Sequence, residues 1–408
     1  MRLFKKSIYI FIALLSLGLA LVSFVGCDVY MSGLATRLET EVVDGGLLAV
    51  TGLQEEAKSS PCIKLEIPST IDGRTVVRIN ENAFMGYDNI VSVTIGDGIK
   101  EIGDYAFSDC SRLTSITVGK NVNKIGTEAF YGCPLTSAVI PTSAIDYIEK
   151  DELESLTITR GESVPSWSFA YCDSLKDVTV KDEVEFIGNH AFYDCTRLTN
   201  LSLSPTVKTI EYDAFYNCPI ENATLSTSAI EHINTRYLRT ITINGGEQIY
   251  AGTFRLSDKL TSVTVGDTVT EIGNNAFNNC ISLAEVNLPS NLASIGEYSF
   301  KGCVSLEEIS FNDNLKHIGN YAFEGCTSLS IAVLPSGLIS VGSSAFKDCS
   351  ALKEVFIPSS VTELGNYAFQ DCPELTIYAQ AKEDEIGEGW AYYWNIDLRP
   401  VVWNFTEE

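Results

Sequence analysis

Cysteine is the residue type in this sequence with the widest choice of chemistry, because a thiol can form a disulfide, bind a metal or act as a nucleophile. The chain has twelve cysteines. Ten of them share one position, three residues after a recurring phenylalanine: Cys110, Cys133, Cys172, Cys195, Cys218, Cys280, Cys303, Cys326, Cys349 and Cys372. Where they recur every 23 residues without interruption, they form runs of two, three and five cysteines. In a run with an odd number of cysteines, disulfides between neighbours would leave one cysteine unpaired. Because a stacked column also keeps its Cβ directions parallel, which opposes disulfide geometry, we predict mostly free, buried thiols.

The other reactive residues give no pattern for metal binding or catalysis. No Cys-x-x-Cys pair is present, and a periodic column of thiols offers no tetrahedral cluster for zinc. His190, His232 and His317 share no motif, and the acidic clusters at 151–152 and 383–385 lack the spacing of a calcium loop. The sequence has no nucleophile-elbow, zinc-protease, phosphate-loop or dinucleotide motif. We therefore predict that the protein is not an enzyme and uses no metal or cofactor.

The N-terminal residues have the pattern of an export signal. Three cations precede an uncharged run, residues 7–26, that ends at Cys27. The segment Phe-Val-Gly-Cys at 24–27 resembles a bacterial lipobox, although leucine is usual where the phenylalanine stands. We predict a lipoprotein-type signal peptide over residues 1–27, with Cys27 as the lipid attachment site. An uncleaved anchor helix is the alternative, because about 20 apolar residues can span a bilayer. Both interpretations place the remaining chain outside the cytoplasm, anchored at the bacterial cell surface or envelope.

Composition limits the possible partners. The formal net charge is −25, which disfavours association with nucleic acid or with anionic lipid. We therefore expect no nucleic-acid partner, and membrane contact only through the N-terminal lipid. Hydrophobic residues make up 45% of the chain, enough for a continuous core, so the protein is not a disordered tail.

Phenylalanine marks a repeat that runs through most of the chain. It recurs at Phe84, Phe107, Phe130, Phe169, Phe192, Phe215, Phe254, Phe277, Phe300, Phe323, Phe346 and Phe369. Nine of the eleven intervals are 23 residues and the other two are 39, so one structural unit repeats with a fixed length. An aliphatic residue stands five positions before each of these phenylalanines. Glycine follows it in eight units, and we interpret this glycine as part of a turn that needs permissive φ and ψ.

A second segment of each unit has the pattern of a strand. It reads Leu-x-x-Ile-x-Ile, as in Leu113, Ile116 and Val118, and its alternation predicts a half-buried strand. One such strand per unit predicts a parallel sheet. The Gly-x-x-Ala-Phe segment is expected to add a short helical turn. Because a 23-residue coil cannot bury its apolar face alone, the pattern predicts a β-dominated solenoid of stacked coils.

Each 39-residue interval contains a shortened coil that lacks the Ala-Phe-Cys segment. The extra strand starts at Leu153 in the first interval and at Leu238 in the second. Residues 142–145 and 227–230 are identical and lie 85 positions apart, which indicates duplication of an 85-residue block. With the two shortened coils included, the pattern predicts about 14 coils.

The repeat resembles a known family. The segment Ile-Gly-Asp-Tyr-Ala-Phe-Ser-Asp-Cys at 102–110, followed by Leu113 and Ile116, resembles the BspA-type leucine-rich-repeat surface proteins of bacteria. The resemblance covers about residues 45–405 and implies a leucine-rich-repeat solenoid with capped ends. We assign residues 28–60 to an N-terminal lead-in, 61–376 to the solenoid and 377–408 to a C-terminal cap.

The same resemblance implies a function. It implies adhesion to host or matrix proteins, or to neighbouring bacteria, so we predict a cell-surface protein that binds an extracellular protein or glycan through its sheet face. A structural or scaffolding envelope lipoprotein without a foreign ligand is the alternative.

The outward-facing strand positions predict where a ligand binds. They are small and polar in most coils, whereas Val333 and Phe356 follow each other in adjacent coils. Exposed apolar clusters of this kind often mark interaction sites, and an aromatic is the favoured anchor. The alternative is that the chain after residue 375 folds back and covers the cluster. The predicted site consists of Ile331, Val333, Phe356, Asn287 and Ser310.

Overall fold

The computed structural model describes residues 37–386 and 388–406. The predicted signal peptide and Cys27 lie outside the described residues. In the part described, no helix is long and apolar enough to cross a bilayer.

An antiparallel hairpin begins the described chain. Its strands are Leu38–Val43 and Leu47–Leu53, joined by the short 3-10 turn Asp44–Gly46, and a one-turn helix, Glu55–Lys58, follows them. The second hairpin strand pairs in parallel with Arg74–Ile79 of the first coil. The hairpin therefore covers the N-terminal end of the solenoid core.

One face of the solenoid, called the strand face below, receives one parallel strand from almost every coil. Its first sheet contains Ile63–Ile67, Ile90–Ile95, Ser115–Thr117, Ser137–Ile140, Ser155–Ile158, Asp177–Val180, Asn200–Leu203, Asn222–Ser226, Thr240–Gly245, Ser262–Val265 and Glu285–Asn287. Its second sheet contains Ile331–Val333, Glu354–Ile357, Thr376–Ala379 and Val401–Trp403. Both shortened coils supply a strand here, as their spacing predicts. The predicted parallel solenoid is thus confirmed.

A second face carries short strands that precede each repeat phenylalanine. Its N-terminal sheet continues the hairpin through Arg74–Ile79, Glu101–Ile102 and Lys124–Ile125, and Thr70–Ile71 pairs only with Arg74–Ile79, antiparallel to it. A three-stranded sheet contains Ser163–Val164, Phe186–Ile187 and Thr209–Ile210. A six-stranded sheet contains Gln248–Ile249, Glu271–Ile272, Ser294–Ile295, His317–Ile318, Ser340–Val341 and Glu363–Leu364. This face is interrupted at both shortened coils, where the 3-10 helices Thr142–Tyr147 and Thr227–His232 take its place.

The repeat phenylalanines form the centre of the core. They are buried, and within each uninterrupted run neighbouring rings stack with centroids 5.0–5.7 Å apart. The stack stops at the two shortened coils, where Ile145 and Ile230 of the 3-10 helices are buried instead. Stacked aromatic burial in every complete coil explains the strict 23-residue period.

The segment from four residues before each repeat phenylalanine to three residues after it, called the Phe turn below, is not the short helical turn that the sequence predicts. It is a run of tight turns. Its amides alternately bond within the turn, as Cys110 N to the Phe107 carbonyl at 3.3 Å, and to the next coil, as Phe107 N to the Ala129 carbonyl at 2.8 Å. Residues two positions before and after the phenylalanine, such as Tyr105 and Asp109, have φ of 55° and 59°. These left-handed residues prevent a continuous right-handed helix.

The glycine that follows the aliphatic residue has a different role from the one that its turn position suggests. It is absent from the positive-φ glycines. A Cβ at Gly342 would lie 2.5 Å from the backbone N of Asn320 and the backbone C of Gly319 in the preceding coil. Glycine therefore allows two coils to approach closely. Four units have another residue in place of this glycine. In three of them, at Asn80, Pro165 and Tyr250, the preceding coil has no Phe turn that a side chain would meet; the fourth is at Glu211.

Replacing Gly342 with alanine should therefore destabilise the fold. We expect a loss of about 1–3 kcal/mol in the free energy of unfolding, since a methyl group inserted against fixed backbone forces the coils apart. Urea titration of residues 28–408 measures it. Tyr250→Ala is the matched control, because Tyr250 holds the same repeat position and its side chain is exposed. Its loss should stay within about 0.5 kcal/mol. Equal losses in the two variants would contradict the close-approach explanation.

The C-terminal segment closes the other end of the solenoid. The strand Thr376–Ala379 crosses the predicted boundary between the solenoid and the C-terminal cap, which lies between residues 376 and 377. Glu383–Glu385 forms a 3-10 turn after it. Trp390 is buried, and its Nε1 donates to the Val361 carbonyl at 3.0 Å. Val401–Trp403 adds one more parallel strand to the strand face. The chain after residue 379 thus covers the last complete coil.

Candidate functional site

Four apolar residues line up across the last strands of the strand face. Val333, Phe356, Tyr378 and Val402 are direct partners in adjacent parallel strands. Val333 is 50% exposed and Ile331, two residues before it, is 44% exposed. Phe356 and Tyr378 are half-buried. The column arises because strand residues alternate between faces, so equivalent positions in stacked coils meet on one surface.

Ile331, Val333, Phe356 and Tyr378 border a cavity of about 580 Å³. Four of the five predicted site residues line it: Ser310, Ile331, Val333 and Phe356. Asn287 does not line it; this residue is exposed in the last strand of the first sheet, where its Nδ2 donates to Glu285 Oε1 at 3.0 Å. The structure therefore brings together the apolar part of the predicted site and leaves Asn287 outside it.

The C-terminal segment covers part of the column. Phe405 lies with its ring centroid 5.5 Å from Phe356 and 5.3 Å from Tyr378, and those two rings stack at 4.9 Å. The Phe405 amide donates to the Ala379 carbonyl at 3.0 Å, which fixes the segment against the sheet. The C-terminal segment therefore covers Phe356 in part, as the covering alternative predicts, whereas Ile331 and Val333 stay exposed.

A break in the strand face shapes the cavity. Between Glu285–Asn287 and Ile331–Val333 the intervening coil forms no regular strand, and its one ladder contact is an isolated bridge from Glu308 to Ile331. Phe311 stands at an inner position that is usually aliphatic, and its ring packs edge-on against Phe323 at 5.8 Å. We attribute the break to this larger side chain. The missing strand leaves Ser310 at the cavity wall.

Charged and polar groups lie beside this apolar wall. Glu308, Asp313, Ser336 and Gln380 line the cavity. Both carboxylates belong to exposed residues. An apolar wall with an acidic edge is complementary to an apolar side chain that is flanked by cationic groups.

Tyr378 and Phe405 line the cavity but are not among the residues that the sequence predicts. Tyr378 holds the same outward strand position as Phe356 one coil later, so extending the column by one coil would have identified it. Phe405 lies beyond the repeats and has no periodic signal. Its position depends on how the closing segment packs.

The repeat cysteines form no reactive centre. All ten are free and buried, as predicted. In nine of them the thiol donates to the carbonyl of the repeat phenylalanine in the preceding coil, at 3.0–3.2 Å, as Cys303 does to Phe277. Burial raises the pKa of Cys280 and Cys326 to about 12. Across the described part of the chain, no three His, Cys, Asp or Glu side chains gather where they could hold a metal ion.

These thiols should be inert in the folded protein. We expect iodoacetamide at pH 8 to leave the ten repeat cysteines unmodified, because the thiolate is the reactive form and burial suppresses it. After unfolding without reductant, all ten should react. Mass spectrometry of the peptides measures both states. Regular disulfides between neighbouring repeat cysteines would contradict the prediction.

The chain is similar to known repeat proteins. Residues 64–159, 162–243 and 247–376 match the family model described as BspA type leucine rich repeat region, in six copies. A leucine-rich repeat protein from Bacteroides ovatus is 24% identical, with 90% of this chain and 98% of that chain covered and a TM-score of 0.37. A leucine rich cell surface protein from Faecalibacterium prausnitzii is 25% identical, with 85% and 94% covered and a TM-score of 0.30. The pneumococcal vaccine antigen PcpA is 19% identical, with 90% and 97% covered and a TM-score of 0.34. No curated protein matches the chain significantly.

Proposed function

The chain belongs to the BspA-type leucine-rich-repeat family, and from this premise we propose that it is an exported cell-surface protein that binds an extracellular ligand through its strand face. The observation that carries the proposal is the exposed pair Ile331 and Val333 beside a 580 Å³ cavity. Elsewhere the outward strand positions are mostly small and polar, as a solvated sheet face should be. An apolar patch on such a face is favourable to bury against a partner.

The chemistry of the patch favours a protein ligand. Ile331 and Val333 supply apolar surface that an inserted side chain can cover, and the half-buried rings of Phe356 and Tyr378 form a rigid wall behind them. The carboxylate of Glu308 favours a cationic residue next to that side chain. Because the net charge is −25, basic partners are also attracted from a distance. We therefore propose adhesion to a protein with a basic and apolar surface.

Direct binding measurements test the proposal. Purified residues 28–408 are applied to a panel of immobilised extracellular-matrix proteins and glycans, and binding is followed over a range of concentrations and salt. We expect saturable binding to at least one protein, weakened by salt because charge complementarity contributes to it. No saturable binding to any panel member, together with cofractionation with one envelope complex, would instead support a scaffolding role.

We also propose that Cys27 carries the lipid that anchors the protein after removal of residues 1–27. The supporting pattern is the cationic, then apolar, leader that ends at a lipobox-like Cys27. Cys27→Ala should release the protein from membranes or leave an unprocessed precursor. Membrane fractionation and mass spectrometry of the N-terminus measure the outcome. An acyl-free protein that still starts at Met1 would contradict the proposal and favour an uncleaved anchor.

A further inference from the structure

Consecutive Phe turns form a ladder, in which backbone amides of one turn donate hydrogen bonds to the turn of the next coil. Where this ladder ends, those amides have no Phe turn to donate to. In complete coils the amide two positions after the repeat phenylalanine donates to the next coil, as Asp109 N does to the Tyr131 carbonyl at 2.7 Å. The ladder ends at three Phe turns, those of Phe130, Phe215 and Phe369, because no Phe turn follows in the next coil. The corresponding amide at each end needs another acceptor.

Two of these three ends are capped by a carboxylate of the chain itself. Gly132 N donates to Glu149 Oε1 at 3.0 Å in the first shortened coil, and Asp371 N donates to Asp397 Oδ2 at 2.7 Å in the C-terminal cap. At the third end, the amide of Asn217 has no acceptor among the residues that the structure describes. Because the equivalent amides of the other coils donate to the following Phe turn, this amide should face the space that such a turn would occupy. A ligand oxygen can bind where the other two ends have a carboxylate.

Sequence differences between the duplicated blocks explain the missing cap. Glu149 of the first shortened coil corresponds to Asn234 of the second, 85 residues later, and Lys150 corresponds to Thr235. The Asn234 side chain accepts from Arg236 N at 3.2 Å instead of capping the Phe turn. Lys150 lies over the Phe169 ring at 5.2 Å, and its burial lowers its pKa. The gap between the Phe turns of Phe130 and Phe169, called the first notch below, thus contains Glu149 and Lys150. The gap after the Phe turn of Phe215, called the second notch, has the shorter Asn234 and Thr235 at those two positions.

The second notch contains an open cavity of about 680 Å³ with aromatic walls. Tyr212, Tyr216 and Tyr237 line it, and all three are exposed. Asp213 and Glu231 add carboxylate oxygens, and Asn217 lines it together with them. In the first duplicated block, Thr127 and Glu152 stand where the second block has Tyr212 and Tyr237. Two aromatic walls are therefore specific to the second notch.

We propose that this notch, bounded by Tyr212, Tyr216 and Tyr237, binds a neutral sugar residue of an oligosaccharide. The apolar C–H face of a pyranose can pack on a tyrosine ring, whose π face is electron-rich. The unpaired amide of Asn217 donates a hydrogen bond to a hydroxyl oxygen of the sugar, and the carboxylates of Asp213 and Glu231 accept hydrogen bonds from sugar hydroxyls. Aromatic walls with a few fixed polar groups are typical of small-ligand sites. The two carboxylates and the net charge of −25 disfavour acidic sugars.

This site is separate from the proposed strand-face site. Its residues belong to residues 212–237, whereas the strand-face cavity is lined by residues 308–405. The two binding proposals can therefore be tested independently.

An array of neutral and acidic oligosaccharides tests the inference, using residues 28–408. We expect neutral oligosaccharides to bind, and calorimetry with the strongest of them to give a defined affinity. Tyr216→Ala should weaken it at least tenfold. Tyr131→Ala is the matched control, because Tyr131 holds the equivalent position in the first notch and both side chains are 54% exposed. The control should bind like the unmodified protein.

A second variant separates ligand binding from folding. Asn234→Glu restores the carboxylate that caps the first notch, so it should abolish oligosaccharide binding and leave the thermal midpoint unchanged or higher. Ile331→Ser should leave oligosaccharide affinity unchanged, which distinguishes this site from the strand-face site. The inference is overturned if no neutral oligosaccharide binds, if only acidic ones bind, or if binding survives both Tyr216→Ala and Asn234→Glu.

Discussion

Replacing Phe300 with alanine is expected to lower the free energy of unfolding by about 3–5 kcal/mol. Phe300 is fully buried, and its ring stacks between Phe277 at 5.0 Å and Phe323 at 5.2 Å. The substitution removes apolar contacts on both sides and leaves a cavity that the neighbouring coils cannot fill, because their backbones are hydrogen-bonded to each other across the Phe turn. Urea titration of residues 28–408 measures the change.

A surface aromatic provides the control for this prediction. Tyr212 is also a large side chain in a Phe turn, but it is exposed, so Tyr212→Ala should change the stability by no more than about 0.5 kcal/mol. The difference between the two variants isolates burial in the column from the loss of an aromatic ring. If Phe300→Ala cost no more than Tyr212→Ala, the stacked phenylalanine column would not be the main source of stability.

The architecture could be predicted from the sequence because each coil buries apolar residues at the same repeat positions. The extra strand predicted at Leu153 is Ser155–Ile158, and the one predicted at Leu238 is Thr240–Gly245. Spacing alone was sufficient there, since a stacked coil must return to the same face at a fixed interval. Local backbone geometry was less predictable. The spacing of Ala and Phe is compatible with a helical turn, and only the observed φ values exclude one.

The glycines illustrate why a correct pattern led to a wrong physical reason. Glycine permits positive φ and also permits close approach, and a single sequence does not distinguish these two roles. Positive φ occurs instead two residues after the repeat phenylalanine, where ten of the twelve residues are Gly, Asn or Asp. Those residue types tolerate the left-handed region best, so the sequence did contain the correct signal at another position.

The candidate sites were only partly predictable. Ile331 and Val333 were identified from alternation, because an outward strand position in a known register must face solvent or a partner. Phe405 could not be placed, since it belongs to a segment without repeats. The notch at Tyr216 was also missed. The equivalence of Tyr216 to Tyr131 follows from the 85-residue duplication. The capping role of Glu149 is visible only in the three-dimensional structure.

The proposed binding by the strand face should depend most on Ile331 and Val333. We expect the double substitution Ile331→Ser and Val333→Ser to weaken binding to the protein ligand at least tenfold, which corresponds to about 1.4 kcal/mol. Both side chains are exposed in the free protein, so their replacement removes interface area without opening the core. Phe356→Ser is less informative, because Phe356 also packs against Tyr378 and Phe405, so its loss is expected to destabilise the cap as well.

The most direct test is the ratio of dissociation constants of the double variant and the unmodified protein for the matrix protein that binds in the panel. Thr264→Ala is the control, because Thr264 is an exposed outward residue on the same face and does not line the cavity. We predict a ratio of at least ten for Ile331→Ser with Val333→Ser, and a ratio near one for Thr264→Ala. A folded double variant that binds the ligand as tightly as the unmodified protein would contradict the assignment of this surface as the binding site.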